Sequence, residues 1–100
     1  MSLESPTKAE RAWMDAIVAL GCIVCRLWYY AYVPAVVHHI IKNGRRVGHR
    51  ATIPLCPAHH NSGRNDDECV SRHPWKSAFE RKYGTEGHLL NKTRELINGR

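Results

Sequence analysis

The chain has 100 residues, 24% of them charged, and a formal net charge of +6. That length supports one small domain with a limited core, so a metal or disulfide staple is expected. No apolar run approaches the ~20 residues that span a bilayer, and no basic flank precedes an apolar segment at the N-terminus. Neither a membrane protein nor a secreted one is therefore expected, and in a reducing cytoplasm paired cysteines point to metal sooner than to disulfides.

The N-terminal residues up to Pro6 are expected to fray. Thr7 and Glu10 stand at capping-box spacing, and Ser5-Pro6 offers a competing start. Ala9, Ala12, Trp13, Ala16, Ile17 and Leu20 recur at helical spacing, which predicts a helix over 7–20 with one buried face, ended by Gly21. Cys22-Ile23-Val24-Cys25 follows as a knuckle; alone, such a pair also fits a redox motif, but no βαβ pattern surrounds it. The aromatic stretch 26–34, with Leu27, Trp28, Tyr29, Tyr30 and Tyr32, can pack on the core or stack on bases.

Ala35 to Ile41 is short, apolar and β-branched and predicts a strand carrying His38 and His39. Lys42-Asn43-Gly44 is a turn signal, and Arg50 to Leu55 reads as the returning strand, with Pro54 marking an edge or an end. Residues 57–62 should make a short helix and Gly63 to Arg72 a polar loop. Pro74 suits the first turn of a further helix bearing Trp75, Ala78, Phe79 and Tyr83. Thr85 should cap a last one with Leu89, Leu90, Thr93, Leu96 and Ile97 on one side. Without repeats or linkers, the chain is one domain: helix 7–20, knuckle and hairpin 21–62, C-terminal helices 74–97.

Charge is unevenly spread. No Asp or Glu lies between Asp15 and Asp66, while that interval holds Arg26, Lys42, Arg45, Arg46, Arg50 and Arg64. Such a zone suits a polyanion such as DNA or RNA, although charge alone fits an ordinary solvated face as well.

Cys22, Cys25, Cys56 and His59 form C-x-x-C…C-x-x-H, three thiolates and one imidazole, the donor set of a closed structural zinc site. Such an ion would pin the end of the first helix to the end of the hairpin and supply on the order of 10 kcal/mol of folding energy. Cys69 is left over as a free thiol or a substitute ligand. His38, His39, His49, His60 and His73 remain as candidates for a second site, with His88 at the surface.

Cys22-Ile23-Val24-Cys25, Val37-His38-His39-Ile40 and Leu55-Cys56-Pro57-Ala58-His59-His60 together resemble the pattern of HNH endonucleases. Gly48-His49, Thr52-Ile53-Pro54-Leu55-Cys56, His59-His60, His73 and Phe79-Glu80-Arg81-Lys82-Tyr83-Gly84 are similar to a narrower group. These are the small phage and prophage nucleases related to the Ref recombination-enhancement protein, a RecA-dependent nuclease.

The resemblance implies an α+β fold: a small zinc-stabilised ββα-metal domain with flanking helices. It implies a metal-dependent endonuclease hydrolysing DNA phosphodiester bonds in recombination or repair, in a bacterial cytoplasm, with a RecA-type filament as partner. His39 matches the general base, and His38 and His60 match ligands of a catalytic metal, with His73 as the candidate third. That ion could be Mg2+, Mn2+, Zn2+ or Ni2+; imidazoles favour a transition metal. Adjacent strand residues point to opposite faces, so His38 and His39 must approach a phosphate from different sides unless the strand bends. The asparagine that orients the base in HNH enzymes has no counterpart; Thr52 or His49 sits near its place. Arg45, Arg46, Arg50 and Arg64 are expected to hold backbone phosphates without reading sequence. The alternatives are a zinc-stabilised nucleic-acid-binding module without catalysis and a protein-docking module.

Overall fold

The computed structural model describes residues 4–99. Helix α1 spans Lys8–Leu20, α2 Ile23–Tyr29, strand β1 Val36–His39, β2 Ile41–Lys42, β3 Arg45–Arg46 and β4 Thr52–Leu55. Then come α3 Pro57–His60, α4 Lys76–Tyr83 and α5 Glu86–Asn98. Among the described residues, five helices and one interrupted hairpin make a small α+β fold.

The capping box at α1 is formed: Glu10 N–H donates to Thr7 Oγ1 (3.1 Å) and Thr7 N–H to Glu10 Oε1 (2.8 Å). Ile17 and Leu20 are buried on the predicted face, and Trp13 packs against the core from its edge. Gly21 ends the helix at φ 86°, a conformation that disfavours any side chain. The second helix, α2, was not expected between the knuckle and the hairpin. It starts at Cys22 and buries Ile23, Val24 and Cys25. By length and composition the stretch Lys8–Tyr29 could cross a membrane, but Gly21 and Cys22 break it into two helices, and the apolar residues Ile17, Leu20, Ile23 and Val24 lie in the core.

The hairpin is not continuous. The first strand pairs antiparallel with β4, His38 opposite Ile53 and His39 opposite Thr52. Toward the turn, β2 pairs with β3, Ile41 opposite Arg46. Between the two ladders Ile40 alone faces the excursion Val47–Ala51: its N–H donates to Ala51 C=O (2.9 Å) and its C=O accepts from Val47 N–H (3.0 Å). This bulge-like insertion shortens both expected strands and re-aims the side chains it carries. Pro54 lies inside β4, paired with Val37; a two-stranded ladder leaves β4 an edge, where a missing N–H is tolerated.

Ile53 and Leu55 of β4, Phe79 and Tyr83 of α4 and Leu89 and Leu90 of α5 join the α2 residues in one core. Residues 63–75 form the predicted loop, with one isolated bridge between Asn65 and Val70. The next helix starts at Lys76, two residues later than Pro74 suggests. Thr85 caps α5 as expected, accepting from His88 N–H (3.1 Å).

Candidate functional site: two ligand clusters on one helical turn

The single turn of α3 joins two groups of side chains. Cys56 is its N-cap and Pro57 occupies its first turn, where a missing N–H costs nothing. Cys56 C=O accepts from both His59 N–H and His60 N–H. Successive residues on a helix diverge by about 100°, so His59 turns toward the cysteines and His60 toward β1.

Cys22, Cys25, Cys56 and His59 are all buried, with their ligand atoms within 4.8 Å of one another. Cys25 Sγ lies 3.8 Å from Cys56 Sγ; His59 Nδ1 lies 3.2 Å from Cys56 Sγ, 3.6 Å from Cys25 Sγ and 3.9 Å from Cys22 Sγ. A tetrahedron with metal–sulfur bonds of about 2.3 Å has edges near 3.8 Å. The group is compatible with a structural zinc. As bare thiols the three cysteines cannot all ionise. The hydrogen bond to Cys22, with His59, pulls Cys56 down to about 3 against burial. The Cys56 partner and burial push Cys22 up, and burial and the Cys56 charge push Cys25 up to about 11. A bound cation would let all three become thiolates. Cys69 is buried nearby, its Sγ donating to Ala58 C=O (3.4 Å), and stands outside this set.

The second group is made of imidazoles. His38, His60 and His73 each offer a ligand atom within 4.8 Å of the others. Their rings form a near-equilateral triangle, with centroids 5.2 Å (His38–His60), 5.2 Å (His38–His73) and 5.1 Å (His60–His73) apart. His73 is folded back by its own N–H, which donates to His60 C=O (2.8 Å). His38 is 2% exposed, and its Nε2 lies 2.5 Å from Glu86 Oε2 in the first turn of α5. Arg72 Nε lies 3.1 Å from the same oxygen, near enough for ion pairing though not aligned for a hydrogen bond. Burial would raise the Glu86 pKa, but the His38 and Arg72 partners outweigh it and the carboxyl stays below its ordinary range. With Nε2 donating to Glu86, His38 keeps Nδ1 as a lone-pair donor, the arrangement of a carboxylate-supported metal ligand. Burial, then the neighbouring charges of His38, His73 and Arg72, lower His60; burial, Arg72 and His38 lower His73. Both shifts favour neutral rings, the form that ligates.

His39 is directed differently. Its Nε2 lies 3.1 Å from His49 Nδ1, and His49 Nε2 lies 2.7 Å from Glu4 C=O. A carbonyl only accepts, so His49 Nε2 carries the proton and its Nδ1 accepts from His39 Nε2–H. His39 Nδ1 is then the unprotonated nitrogen. Burial, then Arg46, His49 and His38, lower the His39 pKa. Although His38 and His39 alternate along β1, they line one cavity of about 240 Å3 with Val37, Ile41, Arg46, His60 and His73.

Of the four predicted phosphate-binding arginines, Arg46 alone lines this cavity. Arg45 is exposed beside it on β3, and Arg50 lines a separate cavity with Trp13, Arg94 and Asn98. Arg64 sits in the 63–75 loop, its Nε 3.0 Å from Asp66 Oδ2, away from the hairpin arginines. Thr52 donates to His49 C=O (3.0 Å) and accepts from Trp13 Nε1–H (2.9 Å), so its hydroxyl braces the excursion; although Thr52 lies opposite His39 across the ladder, its hydroxyl is not hydrogen-bonded to the His39 ring. Glu86 and Arg72 were not singled out from the sequence.

The fold and the two clusters define a small α+β protein with a Cys3His group fit for a metal ion. The chain belongs to the recombination-enhancement, RecA-dependent nuclease family, whose family model matches residues 6–98. The family is one of nucleases that act in recombination. No curated protein matches the chain.

Proposed function

We propose that the chain is an endonuclease of the HNH (ββα-metal) type that hydrolyses DNA phosphodiester bonds with a divalent metal. The observation that carries this reading is the shared cavity, lined by three mutually close imidazoles, by a fourth with a free Nδ1 and by Arg46. Cys22, Cys25, Cys56 and His59 hold the structural zinc. His38, His60 and His73 hold the second ion, which when bound supplies a Lewis acid for a phosphoryl oxygen. An imidazole ligates in its uncharged form, so an ion there keeps its positive charge for the phosphate.

The chain's own groups do the rest. His39 Nδ1 takes the proton from the attacking water. His49 fixes the tautomer and tilt of His39, the task given to asparagine in other HNH sites. Arg46 neutralises the phosphate from the open side and Arg45 holds the flanking backbone; such contacts position DNA without reading its sequence. Family membership leads us to expect that a RecA filament governs access to the substrate.

Plasmid nicking with a RecA filament on the substrate, in the presence of Mn2+, Mg2+, Ni2+ or Zn2+, tests the proposal. The parent should cut, and His39→Ala should lose cutting while keeping DNA binding and bound zinc. Cutting by His39→Ala at the parent rate would overturn the base assignment. Binding without cutting under every ion would leave a zinc-stabilised binding module in its place.

A further inference from the structure

The aromatic stretch after α2 is not consumed by the core. Trp28 does pack, edge-on to Tyr83 with ring centroids 5.5 Å apart, and Tyr29 Oη donates to Glu68 C=O (2.7 Å). Tyr30 and Tyr32 do not: they are 92% and 62% exposed. Tyr30 is also the C-cap of α2 at φ 52°, a left-handed conformation that is a genuine outlier for a bulky residue. Tyr32 is held by one ring edge: a Cβ on Gly21 would lie 2.8 Å from its Cδ1 and 2.9 Å from its Cε1. The ring therefore sits on a position only glycine leaves open, with most of its surface in solvent.

A cation shares their cavity. Arg26, Tyr30, Ala31 and Tyr32 line a cavity of about 330 Å3. Arg26 Nη2 donates to Leu20 C=O (3.0 Å), which anchors the guanidinium, and its Nε is buried without a partner among the described residues. Two open aromatic residues in one cavity with an anchored arginine are the parts that bind an unstacked base and its phosphate. A base inside a duplex is already stacked on its neighbours and offers these rings no face. The acidic stretch Asp66-Asp67-Glu68 lies beyond Tyr29, which limits how broadly a duplex could settle here.

We propose that Arg26, Tyr30 and Tyr32 form a stacking site for single-stranded DNA, separate from the histidine cavity. The site deepens the nuclease reading, since it gives the substrate a single-stranded part, and rests on that reading for its biological use. Its binding test does not depend on cleavage.

The test uses the full zinc-loaded chain carrying His39→Ala, so that no strand is cut. Binding of a fluorescein-labelled oligothymidylate and of a duplex of equal length is followed by anisotropy. Tyr30→Gly and Tyr32→Ala should each weaken oligothymidylate binding by about 5- to 100-fold, the range for one lost stacking ring, and leave duplex binding alone. Tyr32→Phe should bind like the parent. Glycine favours the left-handed backbone at position 30, so Tyr30→Gly keeps the test valid if Tyr32→Ala fails to fold. Unchanged oligothymidylate binding in Tyr30→Gly, or an equal loss on the duplex, would overturn the proposal; the first would leave the surface to a protein partner. Cutting by the parent is measured separately, so a failed stacking site and a failed nuclease assignment give different results.

Discussion

Glu86 shows how much of a site one carboxylate can hold. It is buried, 2.5 Å from His38 and 3.1 Å from Arg72. A carboxylate behind a ligating histidine orients the ring and raises its basicity. Glu86→Gln keeps the shape and an acceptor but removes the charge, leaving Arg72 buried without a counter-ion. The expected result is a 10- to 100-fold weaker Mn2+ affinity at the histidine triangle, by calorimetry. A loss of about 3 kcal/mol in urea unfolding should accompany it. In the proposed mechanism His49 acts through His39, to which its ring is hydrogen-bonded. His39→Ala should cost about 10²- to 10⁴-fold in single-turnover nicking. His49→Ala should cost less, because an unoriented base still accepts a proton; an equal loss would make His49 more than an orienting group. The Cys3His donor set was legible from spacing, since Cys22/Cys25 and Cys56/His59 are pairs three positions apart, each able to close on one ion. Glu86 was not, because a first-turn glutamate after a threonine cap reads as ordinary helix-dipole chemistry. Its partner is 48 positions away.

Elements were legible where local chemistry fixes them. The capping box at Thr7 and Glu10, Gly21, Gly84 and the Thr85 cap set the ends of α1, α4 and α5 close to where spacing put them. Helix α2 escaped for a physical reason. Ile23, Val24 and Cys25 are consecutive and all buried, so its first turn has no polar face to give a period. Its N-cap, Cys22, makes no side-chain capping hydrogen bond, so no capping signal exists either. The excursion Val47–Ala51 was equally hidden, since Ile40 opposes it through long-range pairing that no local run encodes. Gly21 is where the two helices and the aromatic strap meet. Gly21→Ala puts a methyl 2.8 Å from Tyr32 at φ 86°, a backbone cost of about 1–2 kcal/mol before any displacement of the ring. Urea unfolding should show a loss of at least about 1 kcal/mol, and Tyr32→Ala should relieve the clash without relieving the backbone. A full rescue in the double variant would show that the ring, not the dihedral, dominates.

At the scale of the whole molecule, the two ligand clusters share α3 yet serve opposite ends of the energy balance. The cysteine group ties the start of α2 to the end of β4 across the core. A structural zinc bound there would contribute on the order of 10 kcal/mol, as much as the net stability of a small domain. The histidine group lines an open cavity and joins elements already held by Phe79, Tyr83 and Leu89. Removing one ligand from each should therefore give opposite phenotypes. Cys25→Ser should abolish the cooperative near-ultraviolet melting transition, because the remaining donors cannot close a tetrahedral site. His73→Ala should melt within about 1 kcal/mol of the parent, as a partly exposed side chain with no side-chain hydrogen bond among the described residues, keep one equivalent of zinc and lose cutting. Chelation should follow the same order, a mild chelator stopping cleavage while the melt is intact and a strong one unfolding the chain. Should His73→Ala unfold like Cys25→Ser, the histidine triangle is part of the staple and the division of labour between the two ions is wrong.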